Sequence, residues 1–240
     1  MPRWNGRTVR WLLLVGWLLA STAVHTAPLQ PFTAVYDLNR GGIPFGRVTI
    51  ELNLSGDGGY RYQARTVPVG LIAVFRDDEI IERSEGRIEQ AQIIPDRYLY
   101  HHKREKKPRR IALRFDWEQQ LVINNTGDSN WSMPIPPHTQ DKFSQQLALM
   151  HALSGSGETQ HFEVADGGKL KTYRFIPRGE EPVETAAGRF TALRLERRKN
   201  ERESRASLWV APELNYLPVR IERHGKDEPY VMLLKSIHWD

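Results

Sequence analysis

Through residues 43–54, Val48, Ile50, Leu52 and Leu54 alternate with Arg47, Thr49, Glu51 and Asn53. A period of two over that length predicts a β-strand with one buried face. Residues 32–38 read as an earlier strand, reached across Asn39-Arg40-Gly41-Gly42. Residues 55–59 supply the glycines a hairpin needs before a return along 60–67. The chain therefore opens as a meander. Residues 69–75 are apolar without alternation and fit a short helical turn or a buried loop. Strands are predicted at 78–89 and 97–103, separated at Pro95-Asp96, and again at 111–115 and 121–123, with 124–128 closing the last.

The C-terminal third repeats the pattern. Residues 208–222 hold two runs of aromatic and β-branched residues flanking Pro212-Glu213-Leu214-Asn215, which reads as a hairpin because Pro fixes φ and Asn tolerates the left-handed region. With 190–197 before it and 229–237 after it, four successive strands form a second meander onto which the others are expected to pack. Strands are also expected at 159–165 and 170–176, with a short pair around Val183 and Gly188.

Pro134, Pro136 and Pro137 interrupt the strand pattern, since proline lacks the donor that a central strand requires. The one predicted helix follows. Asp141 or Thr139 is placed to cap it, Phe143, Leu147, Met150 and His151 share one face, and Ser154-Gly155 ends it. These elements predict a mainly β fold: a large curved or barrel-like antiparallel meander sheet of about a dozen strands, with one amphipathic helix as a plug. Residues 24–240 are read as a single β-rich domain whose one soft boundary is 134–137.

Composition changes this picture at the N-terminus. Arg3, Arg7 and Arg10, an apolar run from Trp11 to Ala20 and the small residues Ser21-Thr22-Ala23 make the three-part pattern of a cleavable signal peptide over residues 1–23. The run is shorter than the roughly 20 residues a membrane span needs, so a soluble periplasmic protein is expected, not an integral membrane one. Arg3, Arg7 and Arg10 of this leader supply three units of the chain's formal net charge of +5, and a nucleic-acid partner is not expected. The chain has no cysteine, hence neither a disulfide nor a lipid-attachment thiol.

No catalytic motif emerges. Gly155-Ser156-Gly157 follows a helix rather than a strand and lacks the pattern of a nucleophile elbow. The histidines at 101, 102, 138, 151, 161, 224 and 238 form no i,i+2 or i,i+4 pair, so neither a metal site nor a cofactor is expected. Asp77, Asp78, Glu79 and Glu82 could supply an acid–base pair, or simply a solvated strand face. The single charge run spans residues 101–110, between two strands. Its Lys103, Arg104, Lys106, Lys107, Arg109 and Arg110 form either a finger that contacts anionic surfaces or a solvated, edge-protecting hairpin tip.

Four local patterns carry a resemblance: Tyr36-Asp37 with Gly42-Ile43-Pro44-Phe45-Gly46, the helix entry from Asp141 to Leu147, Thr185-Ala186-Ala187-Gly188-Arg189-Phe190, and the terminal hairpin from Leu208 to Arg220. In them the chain resembles the exported bacterial family catalogued as domain of unknown function 3108. The resemblance implies no active-site residues. The terminal hairpin is also similar to strand pairs of periplasmic lipoprotein carriers, whose half-open barrels shelter acyl chains. The expected function is a noncatalytic periplasmic binding or envelope-maintenance protein with an apolar groove or interior, whose partner is lipid, lipopolysaccharide or another envelope component. A cell-envelope hydrolase with a site assembled from dispersed residues, or a structural scaffold, are the alternatives.

Overall fold

The alternating run at residues 43–54 is a strand over its whole length, and its inward side chains Val48, Ile50 and Leu52 are buried. The computed structural model describes residues 29–70, 73–74, 78–104, 108–126, 129–199, 202–224 and 228–240. The predicted leader therefore lies outside the described residues, as do residues 71, 72 and 75 of the apolar run 69–75, of which Ala73 and Val74 are exposed. The strands are β1 (Phe32–Arg40), β2 (Ile43–Leu54), β3 (Gly59–Pro68), β4 (Glu79–Glu89), β5 (Gln92–Lys103), β6 (Arg109–Asp116), β7 (Leu121–Thr126), β8 (Ser129–Pro134) and β9 (Gln140–Asp141). The helix α1 (Ser144–Gly155) follows, then β10 (Gln160–Ala165), β11 (Leu170–Thr185), β12 (Gly188–Lys199), β13 (Arg202–Ala211), β14 (Leu217–Arg223) and β15 (Tyr230–Trp239).

All 15 strands form one sheet in the order β8-β7-β6-β5-β4-β3-β2-β1-β15-β14-β13-β12-β11-β10-β9. Every pairing is antiparallel except the short parallel one between β9 and β10. The terminal meander does not receive the other strands on its face, as its amphipathic pattern suggested. It joins them edge to edge through β1 and β15, from Phe32 opposite Trp239 to Arg40 opposite Tyr230.

Connectivity forces the sheet to curl. At about 4.8 Å per strand, a flat sheet of this size would be about 67 Å wide. Its two edge strands, β8 and β9, are joined only by residues 135–139, which span about 20 Å at full extension. The edges therefore meet without pairing: a Cβ placed on Gly168, in the β10–β11 turn, would lie 3.5 Å from the Trp131 ring of β8. A barrel-like sheet with an unpaired seam results.

Inside the curl, one row of inward side chains crosses eight strands in register: Phe32, Leu52, Tyr62, Ser84, Tyr98, Leu113, Asn124 and Trp131. α1 lies against this row, with Phe143 stacked on Tyr62 at 4.1 Å between ring centroids. Leu147 and Met150 pack with the inward residues of β1–β7, while Leu149 and Leu153 pack with Val164, Phe175, Leu195 and Leu208. The helix thus fills the apolar interior and buries both sides. The amphipathic helix expected from the sequence does not match this: none of its residues is fully exposed, and Gln145 and Gln146 are buried.

Three other expectations are corrected. The turn expected at Pro95-Asp96 lies at Gln90 and Ala91, both at positive φ (48° and 64°) without being glycine. Pro95 instead sits inside β5 at a bulge, where the absence of a Cβ on Gly86 makes room for the Ile94 carbonyl. Residues 129–134 form the edge strand β8, which needs few backbone partners and so tolerates its terminal proline. The short pair around Val183 and Gly188 is the distal end of the long strands β11 and β12, interrupted only by a bulge between Pro177 and Glu180.

Candidate functional site

The polar members of the inward row cluster toward the seam. Asp141, fully buried, accepts the amide hydrogens of Phe143 and Ser144 on Oδ1 at 2.7 Å each. Its Oδ2 accepts the Ser84 hydroxyl at 2.6 Å, and Tyr60 is hydrogen-bonded to the same Ser84 oxygen at 2.9 Å. Ser84 thus anchors the helix cap to the wall, while Ser144 Oγ accepts the Asp141 amide to complete a reciprocal cap. Burial raises the Asp141 carboxyl to about 6, against the opposing effect of its hydrogen bonds.

One ladder position away, Glu82 accepts the Tyr98 hydroxyl at 2.6 Å. Burial raises its carboxyl, and the Tyr98 hydrogen bond and the Lys142 charge lower it. Across the seam, Asp166 accepts from Lys171 at 2.8 Å, from Tyr173 at 3.1 Å and from Lys199. These lysines, with Lys142, hold its carboxyl below the usual range despite partial burial.

Between these networks lies a cavity of about 330 Å³. Tyr98, Leu113 and Asn124 of the inward row line one side and Trp131 of the edge strand another; residues 165–168 and Lys142 face them from the opposite edge. Arg109 and Arg110 complete the lining. With Asp166 already neutralised by its lysines, the charge left over in the lining is cationic. A recess with guanidinium and ammonium donors beside Tyr and Trp rings suits a ligand that pairs an anionic group with a ring or sugar face.

The predicted basic finger divides here. Lys103, Arg104, Arg109 and Arg110 are exposed at the β5–β6 tip, and Lys106 and Lys107 lie outside the described residues. Arg104 Nε donates to the His102 ring at 3.0 Å, and the Arg109 guanidinium lies over the Tyr100 ring at 5.9 Å. Only Arg109 and Arg110 reach the seam cavity. Of the other residues singled out from sequence, Glu82 and Asp141 belong to the buried network, whereas Glu79 pairs with Arg65 on an exposed surface. Ser84, Tyr98, Trp131, Lys142 and Asp166 went unnoticed, because only the pairing of distant strands brings them together. The faint signal was a polar Ser84 and Asn124 at strand positions whose period calls for apolar residues.

A second cavity, of about 350 Å³, lies farther along the seam and brings together His138, His151 and His161, which no sequence spacing connects. Among the described residues, no group of three or more His, Asp or Glu side chains is arranged to hold a metal ion. Nor, among them, is any helix long and apolar enough to cross a membrane.

Residues 34–235 match the model of a family described as "Protein of unknown function (DUF3108)". Comparison with curated proteins gives no match. Among solved structures, a β-barrel-like protein of the domain of unknown function DUF1849 from Brucella abortus is similar at 11% identity, covering 88% of this chain and 98% of that one with a TM-score of 0.59. That likeness extends to the fold. A candidate exported protein with a YmcC-like fold from Bacteroides fragilis aligns over 88% of this chain and 96% of its own at 12% identity, with a TM-score of 0.36.

Proposed function

The chain belongs to the DUF3108 family, proteins of unknown function, and from that premise we propose that it is a noncatalytic periplasmic protein that binds an anionic envelope component in the seam cavity. The observation that carries this reading is the cationic, aromatic-edged lining of that cavity by Arg109, Arg110, Lys142, Tyr98 and Trp131. The N-terminal leader pattern supports export, and with it an encounter with anionic headgroups and lipopolysaccharide.

The disposition of Asp141 and Asp166 supports binding over catalysis. Both oxygens of Asp141 are engaged in holding the helix to the sheet, and Asp166 is neutralised by lysines. A general acid or base needs a free lone pair or proton facing a reactant, and these groups spend theirs on structure. The filled interior directs a ligand to the seam, away from the barrel axis.

Native mass spectrometry of protein extracted gently from its own host tests the proposal. A copurifying anionic adduct, lost in the Arg110→Gln, Lys142→Gln double variant, is the expected result. A clean apo mass for the wild type, with no uptake of added phosphatidylglycerol or lipopolysaccharide, overturns it.

A further inference from the structure

The antiparallel order sorts the connections between the two ends of the barrel. The β1–β2, β3–β4, β5–β6, β7–β8, β10–β11, β12–β13 and β14–β15 connections all lie at one end, and the β2–β3, β4–β5, β6–β7, β8–β9, α1–β10, β11–β12 and β13–β14 connections, with both termini of the sheet, at the other. The two ends differ in kind. Ile43 (70% exposed), Val74 (75%) and Tyr230 (41%), which are all the exposed large apolar side chains among the described residues, lie at the first end. They are also neighbours: Arg40 pairs with both Ile43 and Tyr230 across adjacent strands, and Val69, in the connection that carries Val74, donates its amide hydrogen to the Phe45 carbonyl.

Charge is sorted the same way. At the far end, the connections and the one strand residue on either side of each carry Asp57, Glu89, Asp116, Glu118, Glu158 and Glu213, and no lysine or arginine. By the same measure the apolar end carries Arg40, Lys103, Arg104, Arg109, Lys169, Lys199 and Arg223, with Arg110 one residue farther in. Of its acids, Glu79 pairs with Arg65, Asp166 with Lys171 and Lys199, and Asp78 lies 3.9 Å from His102, while Glu228 stands beside Gly41 in the β1–β2 turn, where it is outnumbered by the basic tips. A protein with an acidic end and an opposite end of aliphatic, aromatic and basic tips is oriented by any anionic interface, which attracts one end and repels the other.

We propose that this rim docks on an anionic bilayer surface, with Ile43, Val74 and Tyr230 entering the headgroup region and the flanking arginines and lysines facing lipid phosphates. A bilayer fits better than an acidic protein because the apolar side chains stand at the ends of two strands and on a separate connection, a dispersed geometry suited to a fluid interface. Docking in this orientation also turns Arg109 and Arg110, at the mouth of the seam cavity, toward the lipid. The inference rests on the envelope reading above for where the bilayer is met, and on Ile43, Val74 and Tyr230, which take no part in the seam cavity, for the contact itself.

The test is co-sedimentation of the purified protein with vesicles of phosphatidylcholine alone and with added phosphatidylglycerol. Binding to the anionic vesicles only is expected, with partitioning that falls about fivefold for each cation removed by Lys103→Gln or Arg223→Gln. The Ile43→Ser, Val74→Ser, Tyr230→Ser variant should bind at least tenfold more weakly, while Lys142→Gln, which strikes the seam cavity alone, should sediment as wild type. In single-site fluorophore labelling, a probe at Ile43 should be quenched by brominated lipid and one at Asp57 should not. Equal sedimentation of wild type and the triple variant overturns the proposal, as does equal quenching at both ends. Absence of vesicle binding with self-association at low salt assigns the two oppositely charged ends to contacts between copies and overturns it as well. Loss of the seam ligand in Lys142→Gln with vesicle binding intact separates the two readings.

Discussion

Ser84 and Asp141, separated by 57 residues, share a 2.6 Å hydrogen bond that ties the middle of β4 to the end of β9, just before α1. Around it the Asp141 carboxylate also serves two helix amides, so a single side chain fixes the position of the helix inside the sheet. Replacing Asp141 with Ala should destabilise the protein by about 3 kcal/mol, since a cap is lost and a buried hydroxyl and two amides lose their acceptor. Asp141→Asn, which keeps one acceptor and offers Ser84 a donor, should cost about 1 kcal/mol. Urea unfolding of both variants measures the difference.

The same carboxylate gives a pH signature. Its raised folded value, about 6 against 3.8, means the folded state keeps a proton that the unfolded state has released, so this contribution to stability falls as pH rises from about 4 to 6. Relative to the pH-insensitive Asp141→Asn, the wild type should gain on the order of 2–3 kcal/mol between pH 7 and pH 4. Unfolding free energies that run parallel for the two proteins across that window would remove the buried charge from the account. Asp166 has the opposite sign: its carboxyl is held low by Lys171 and Lys199, so its contribution is lost only as pH drops below the unfolded value near 4.

Trp209 is buried, with the guanidinium of Arg220 4.7 Å and that of Arg194 5.5 Å from its ring centre and its indole N–H donated to Glu181. Truncation to alanine should cost about 3–5 kcal/mol. Trp209→Phe keeps most of the packing and should cost about 1–2 kcal/mol, because Glu181 loses its donor. A melting temperature within a degree or two of wild type for Trp209→Ala would show that the cluster contributes nothing to the fold.

Backbone geometry at the β4–β5 hairpin predicts effects of opposite sign. A Cβ on Gly86 would lie 2.1 Å from the Ile94 carbonyl oxygen, so Gly86→Ala should destabilise by more than about 2 kcal/mol. Ala91→Gly, at a φ of 64°, should stabilise by up to about 1 kcal/mol, because a left-handed residue without a Cβ relieves the strain. Denaturation of the two single variants checks both.

How much of this was readable beforehand depended on the range of the interactions. The period of two located β2 to the residue, the Pro-Glu-Leu-Asn tetrad located the β13–β14 hairpin, and the charge run located the β5–β6 tip, because each is set by neighbours in sequence. Asn215, placed as a turn residue, has a φ of 52°, as does the unforeseen Tyr216 at 59°. The turn at Gln90-Ala91 was hidden, since nothing in those two side chains advertises positive φ and the nearby proline offered a stronger local signal.

Alternation along single strands thus determined, from sequence alone, that the protein is a mainly β meander with one helix, and which face of most strands is apolar. The tertiary structure decided the rest: the edge-to-edge union of the two meanders through β1 and β15, the curl imposed by the short link from β8 to β9, and the seam where Tyr98, Trp131, Lys142 and Asp166 meet. It also sorted basic and apolar tips to one end and acidic tips to the other. Sequence patterns report what each residue's neighbours along the chain require, whereas a site built from several strands exists only once the register between distant strands is set by the shared burial of their apolar faces.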